Sequence, residues 1–339
     1  MRSKITTLGG NGAEDVKRAN VVYHDYEARN YDDKWSISFD ERCITYAAQK
    51  FEKVIPRGRV FEQALEVGCG TGFFLLNLCQ AGFIKKGEVC DISPGMVEVC
   101  LRNAGSLGLE IEGRPADVEN LPYEEGSFDL VVGHAFLHHL PDPKKALAEI
   151  HRVLAPGGMI VVAGEPTRWG HRIASVARKS AVAGFKAFSL TSAGRKLRQD
   201  PRPGDDSPDA EAKALESEVD LWTFDPDEVA LWAKRAGFRN VRVETEELLS
   251  SLLGWSVRTI EGMAKPGSLP GWWPFWAYNN YLKLYSLDDR WLYRFMPRQL
   301  FYNLILAGEK AAAPAGTTGK TTGNKAAAPR TPRGAKSKE

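Results

Sequence analysis

Gly68, Gly70 and Gly72, with Asp91 and Asp117 further along, are the residues of this 339-residue chain whose types and spacing most directly imply chemistry. A glycine inside an element costs roughly 0.5–1 kcal/mol relative to alanine. Three in five positions therefore mark a tight turn, or a place where something approaches the backbone more closely than a side chain permits. A turn of this kind between a strand and a helix offers unpaired N–H groups to an anion. Asp91 lies 19 residues beyond Gly72, at the end of the next strand-like run. An acid there can accept hydrogen bonds from both hydroxyls of a ribose. Where a dinucleotide fingerprint has its last glycine, this chain has Phe73, which counts against a nicotinamide enzyme. The set points to a nucleoside ligand without saying which. The plainer alternatives are a simple turn for the glycines and capping of the following segments for the two aspartates.

Those residues need a sheet edge to stand on. From about Phe61 to Pro166 strand-like and helix-like stretches alternate, the pattern of a parallel sheet with helical crossovers. Strands are expected at FEQALEVG (61–68), GEVCDI (87–92), a weaker run before Asp117, FDLVVGHAFL (128–137) and MIVVAGE (159–165). A first helix reads FFLLNLCQAGF and stops near Gly82. A second opens with Ser93 as N-cap and Pro94 at its first position, and a third opens at Asp142-Pro143 and ends at APGG (155–158). Asp225-Pro226-Asp227-Glu228 has capping-box spacing and starts a helix that runs to Gly237. FRNVRVET (238–245) and LFYNLILAGE (300–309) complete seven strands. The expected fold is α/β, a doubly wound sheet whose last strand is antiparallel. The chain divides into a helical cap (1–59), a ligand-binding core (60–167), a basic then acidic insertion (168–221), the rest of the sheet with a Trp/Tyr-rich insertion (222–310) and a basic tail (311–339).

Composition sets outer limits. At 43% hydrophobic and 26% charged, the chain has enough apolar residues for one large core with an appended lobe. No apolar run reaches the length of about 18 needed to cross a bilayer, and the first residues lack the apolar stretch of a signal peptide. The five cysteines include no CxxC pair, so free thiols, a reducing cytosol and no zinc or other metal site are expected. The net charge of +2 hides a basic tail, AAAPAGTTGKTTGNKAAAPRTPRGAKSKE, with six Lys/Arg against one Glu. That tail has no apolar side chain larger than alanine, so disorder is expected, as a solubilising appendage or a contact for nucleic acid or membrane.

"LEVGCGTGFF" (65–74), "VCDISPGMVEVC" (89–100) and the block from "ENLPYEEGSFDLVV" to "LAPGGMIVVAGEP" (119–166) decide between these ligands. Together they resemble class I S-adenosylmethionine-dependent methyltransferases, strongly over 60–166 and more loosely over 222–248. The central block is similar to the quinone-biosynthesis group. The resemblance implies a Rossmann-like fold and S-adenosylmethionine as cofactor. It would place Glu66 and the Gly68–Gly72 loop, including Gly70, around the amino-acid end of that ligand. Asp91 would take the ribose diol, and Ile92 and Met96 would flank the adenine. Asp117 would accept from the adenine amino group, and the Val118 N–H would meet a ring nitrogen. Gly133 and His134 would lie near the sulfonium, and Tyr31 would fold over the carboxylate from an N-terminal helix.

Methyl transfer needs a base only if the acceptor carries a proton at the working pH. His134 is the candidate base or substrate contact, with a packing histidine as the alternative. Glu165, ending the fifth strand, could orient substrate or cap the next turn, and His138 and His139 read as structural. Residues 168–200 form a basic amphipathic stretch, and 269–302 is dense in Trp and Tyr. Both are expected to form a lid over a hydrophobic small-molecule or lipid acceptor, with peripheral contact to a membrane surface. A solvated basic face and an aromatic core are the plain alternatives. Nucleic acid is the less favoured partner, because the place after the fourth strand reads GHAFLHH and lacks the Asn/Asp-Pro-Pro-Tyr/Phe signature of base-modifying relatives. Methylation of protein or nucleic acid, or an aminopropyl transferase, remain the competing functions.

Overall fold

The computed structural model describes residues 12–35, 37–199 and 219–312. The expected disordered tail and most of the acidic run lie outside the described residues. Strands β1 (Phe61–Val67), β2 (Ile84–Asp91), β3 (Ile111–Pro115), β4 (Phe128–His134), β5 (Leu154–Pro166), β6 (Arg239–Glu246) and β7 (Asn303–Glu309) form one sheet in the order β3-β2-β1-β4-β5-β7-β6. The first five are parallel, and β7 runs antiparallel to both β5 and β6. This is the expected doubly wound, Rossmann-like architecture.

The helices are α1 (Gly12–Glu27), α2 (Tyr31–Trp35), α3 (Glu41–Glu52), α4 (Phe73–Gln80), α5 (Pro94–Ser106), α6 (Pro143–Val153), α7 (Arg168–Phe188), α8 (Ser192–Leu197), α9 (Pro226–Arg235), α10 (Leu249–Met263) and α11 (Trp273–Leu287). Successive strand residues point to opposite faces, so the core has two apolar layers. Ala64, Leu130, Val132 and Val161 join Phe51, Phe74 and Leu75 on one side. Leu65, Val131, Ile160 and Val162 join Leu147, Ile150 and Val229 on the other.

Several boundaries move for identifiable reasons. β2 starts at Ile84 rather than Gly87, because Ile84 pairs with Phe61. β4 stops at His134, where Ala135 turns into the left-handed region at φ 54°. APGG does not end a helix but lies within β5, whose Leu154 already pairs with Phe128. The last strand begins at Asn303, because the chain before it turns through Arg298–Leu300.

Caps behave mostly as expected. Ser93 accepts from the Met96 N–H and Asp142 from the N–H groups of Lys144 and Lys145. Asp225 caps α9 through the Asp227 N–H, while Glu228 does not close a capping box and instead pairs with Arg168 at 2.7 Å. The helices of the two insertions pack together, α7 against α10, and α10 against α11. All five cysteines are free thiols. Among the described residues no helix is long and apolar enough to cross a membrane.

Candidate ligand and active site

The sheet reverses its winding between β1 and β4, and the carboxyl ends of those strands border a cavity of about 1670 Å³. Such a switch point is where open α/β sheets bind ligands. The glycine turn forms one wall, and its glycines do different jobs. A Cβ on Gly68, at φ 60°, would lie 2.5 Å from Phe136 Cβ, so this glycine serves packing. Gly72 caps α4 at φ 93° and presses on Cys100 and Leu76, outside the cavity wall. Gly70 alone faces open space, with the Tyr31 ring 3.9 Å from where its Cβ would be.

Asp91 is buried and holds this turn from below. Its carboxylate accepts from Gly70 N–H at 2.9 Å and from Ser93 N–H at 2.9 Å. Burial raises its pKa, and those two N–H groups pull the other way. Glu66, also buried, accepts from Leu75 N–H at 3.1 Å, and burial pushes its pKa up to about 8. It therefore carries its proton at neutral pH while lining the cavity.

The N-terminal helices close this end. Asp25 of α1 accepts from the Ser93 hydroxyl and the Gly95 N–H. Lys17 pairs with Asp117 at 2.8 Å and with Glu119 at 3.0 Å. Burial would lower the Lys17 pKa, but hydrogen bonds to those two carboxylates outweigh it and the ammonium is stabilised. Ile92, Asp117, Val118 and Tyr31 line the cavity. Met96 does not: it is buried against Ala28 and Val99 under α1. The sequence expectation for Met96 is corrected to a supporting role.

His134 ends β4 in the cavity wall, between Phe73 and Phe74 at ring separations of 5.0 and 5.6 Å. Its Nε2 is buried with no hydrogen-bond partner, and burial depresses its pKa to about 3. Glu165 is fully buried and does not line the cavity. It accepts from the backbone N–H groups of Phe136, Leu137 and His138 and meets His138 Nδ1 at 2.8 Å. Its carboxylate thus holds the strained turn after β4, which corrects the expectation that it faces a substrate. Burial would lower the His138 pKa, but the Glu165 charge outweighs it and His138 is raised. His139 lies beside it at 4.0 Å, donates to Val219 O and is lowered to about 4 by burial. Both rings line the cavity, a placement that the "FLHH" stretch alone did not reveal.

The opposite wall belongs to the insertions. Tyr278, Tyr281 and Tyr285 from α11, Trp255 and Arg258 from α10, and Tyr302 line it. At its base, Glu247 stands at φ 67° and accepts from Tyr46 OH at 3.2 Å and from Lys50 Nζ at 3.1 Å. Lys50 is wholly buried and also pairs with Glu246. Ala135 and Glu247, two of the three non-glycine residues with positive φ among the described residues, both border the cavity. Backbone strain of this kind concentrates at ligand sites.

Residues 65–162 match the family described as "Methyltransferase domain". A demethylmenaquinone methyltransferase of Staphylococcus epidermidis is 42% identical over 101 residues, covering 29% of this chain and 41% of that protein. An uncharacterized 37.1 kDa protein in transposon TN4556 of Streptomyces fradiae is 39% identical over 132 residues, 38% of this chain and 37% of that protein. The chain thus spans less than half the length of these curated relatives. Among solved structures, the Haemonchus contortus phosphoethanolamine N-methyltransferase 2 in complex with S-adenosyl-L-methionine aligns at TM-score 0.48 and 15% identity, over 79% of this chain and 52% of that one.

Proposed function

Because residues 65–162 form a class I S-adenosylmethionine-dependent methyltransferase domain, we propose that the protein transfers a methyl group from that donor to a hydrophobic small-molecule or lipid acceptor. The observation that carries this reading is the open cradle over Gly70, framed by Asp91, Glu66 and Tyr31. When bound, the donor supplies an electrophilic methyl on a sulfonium, open to in-line displacement. Asp91 keeps a lone pair on each oxygen after serving Gly70 and Ser93, which suits a ribose diol. Glu66, protonated when the cradle is empty, releases that proton to pair with an ammonium. Asp117, steadied by Lys17, and the Val118 N–H take the adenine edge, with Ile92 against its face. Lys50 and His138, whose charges bear on His134, are each paired with carboxylates, Glu246 and Glu247 for the first and Glu165 for the second, which limits repulsion of a sulfonium at the cavity floor.

His134 is a weak base at a pKa of about 3, so we assign its free Nε2 to orienting the acceptor's attacking atom. Positioning and exclusion of water then supply the acceleration. The aromatic wall of α10 and α11 supports an apolar acceptor. Trp272, just before α11, and Phe275 within it are exposed, at 60% and 71%, and Lys283 and Arg290 are exposed further along the chain. A helix with an aromatic outer face and flanking cations suits the surface of an anionic bilayer. Of the two segments considered for membrane contact, this favours 269–302, because α7 turns Arg168, His171 and Arg172 towards the cavity.

Calorimetric titration with S-adenosylmethionine tests the reading. Binding is expected, and Asp91→Asn should weaken it by roughly 1–3 kcal/mol, about 5- to 150-fold. Repeating the titration in buffers of different ionisation enthalpy should show proton release, lost in Glu66→Gln. Binding of NAD but not of S-adenosylmethionine would overturn the proposal.

A further inference from the structure

Five arginines line the cavity, and they fall into two kinds. Arg42 and Arg168 are matched by carboxylates, Asp40 at 2.6 Å and Glu228 at 2.7 Å. Arg172, Arg178 and Arg258 have no ion pair or side-chain hydrogen bond among the described residues. Each instead lies over an indole ring: Arg172 over Trp169 at 4.8 Å, Arg178 over Trp255 at 5.0 Å and Arg258 over Trp35 at 4.5 Å. Stacking on an aromatic face leaves a guanidinium's N–H fork without a protein acceptor; Arg172 and Arg178 are exposed and keep theirs in water. Arg258 is the costly case. It is half-buried on α10, and burial destabilises its charge. Glu261, one turn further on, favours that charge without pairing with it, and one of its oxygens accepts from Trp273 Nε1 at 2.8 Å.

Arg172 and Arg178 come from α7 and Arg258 from α10, two helices that pack on each other. Tyr302 lies between them, 5.6 Å from Trp255 and 6.4 Å from His171. From this patch the wall continues along α11 as Ala277, Tyr278, Tyr281 and Leu282. Tyr278 and Leu282 are also exposed to solvent, so the cavity opens along this helix. Unpaired guanidinium forks match carboxylate or phosphate oxygens, and an aromatic and aliphatic channel matches a hydrocarbon or fused-ring body.

Resting on the methyltransferase reading, we propose that the acceptor is an anionic amphiphile. Its carboxylate or phosphate group sits on Arg258, with the exposed Arg178 and Arg172 reaching it from the rim, and its apolar body lies along α11. The guanidiniums fix the acceptor in the cavity; they take no part in methyl transfer.

Calorimetry on the full chain with four probes separates head from tail: decyl phosphate, decanoate, decanol and inorganic phosphate, each below its micellar concentration. The expected result is one saturable site for decyl phosphate or decanoate, at least tenfold tighter than for decanol or inorganic phosphate. Arg178→Gln combined with Arg258→Gln should lose at least tenfold of that affinity. Arg258→Lys, which keeps the charge but not the fork or its stacking on Trp35, should lose less than the double variant, and a thermal melt reports whether each variant is folded. Affinity for S-adenosylmethionine should change less than twofold. Equal binding of decanol, or of inorganic phosphate alone, would overturn the proposal. So would a double variant that binds the anionic probes normally, or one that loses S-adenosylmethionine instead, which would place the guanidiniums on the donor. Neutralising Asp205, Asp206, Asp209 and Glu211 should leave probe affinity unchanged; a tenfold gain would make the chain's own acidic stretch the occupant and overturn the inference. A wild-type protein that binds the anionic probes but not S-adenosylmethionine would sink the methyltransferase reading alone.

Discussion

The two walls of the cavity are built on different principles. At the sheet edge, the acidic side chains are tied to backbone or to a counter-charge: Asp91 to Gly70 and Ser93, Glu66 to Leu75, Asp117 to Lys17. In the helical wall, three guanidiniums rest on indole rings without a hydrogen-bonded partner, and α11 has no buried residue at all. A wall of the first kind is preorganised and holds one ligand in one pose. A wall of the second kind leaves its binding capacity unspent and adapts to whatever apolar body enters. The comparison implies that substitutions at the sheet edge act on folding and donor binding together, whereas those on the outer helices act on association with little change in stability.

The largest expected effect probes the glycine turn. Gly68→Ala combines a left-handed φ with a Cβ 2.5 Å from Phe136, and should cost about 2–5 kcal/mol in chemical denaturation. Gly70→Ala has the same backbone problem but open space, and should cost about 1–2 kcal/mol. It should weaken donor binding more than it weakens the fold. Equal stability losses at the two positions would remove the distinction between packing and cradle.

A smaller effect appears on acidification. Burial lowers the pKa of His24, His134, His139 and His171, with His134 at about 3 and His139 at about 4. Below the ordinary histidine value of about 6.5 the unfolded chain takes up protons that these rings refuse. Stability should therefore fall as pH drops from about 6.5 towards 4, by up to about 1.4 kcal/mol per pH unit for each ring. His138 has the opposite sign. Its pairing with Glu165 contributes fully below about pH 6.5 and fades as pH rises through its raised folded value. Denaturation midpoints from pH 4 to 8 should show a shallower acid limb in His134→Gln. An unchanged limb would mean that His134 is not buried in solution.

The smallest effect on stability is on α11. Trp272→Ser with Phe275→Ser should change the unfolding free energy by no more than about 0.5 kcal/mol. Sedimentation with phosphatidylglycerol vesicles should nevertheless drop several-fold. Unchanged sedimentation would move the membrane contact away from this helix.

What could be read from the sequence follows the same divide. The glycine turn, Asp91 and His134 could be placed at the sheet edge from main-chain geometry, since a strand ends, a turn needs positive φ and an acid stands at the next strand's end; the part expected of Asp117 came only from the family resemblance. Lys17 was not, since "AEDVKRAN" shows only a polar helix and its partners lie a hundred residues away. Glu165 was placed at the right edge but assigned the wrong direction. Alternation gave its position, while only the turn at Ala135 shows that three backbone N–H groups would claim its carboxylate. Lys50 and Glu247 stayed hidden because nothing local distinguishes a buried ion pair from two solvated charges. Met96 has the right spacing, yet α1 covers it, and that packing depends on Asp25 meeting Ser93 across the fold.

The position of β7 has a consequence for how the chain is made. It is the last strand in sequence but an interior one in space, seated between β5 and β6. Until residues 303–309 leave the ribosome, β5 presents an open apolar edge and β6 has no neighbour to pair with. Exposed edges of this kind invite pairing with other chains. Completion of the sheet therefore waits for β7, and the nascent chain stays aggregation-prone until that strand has emerged.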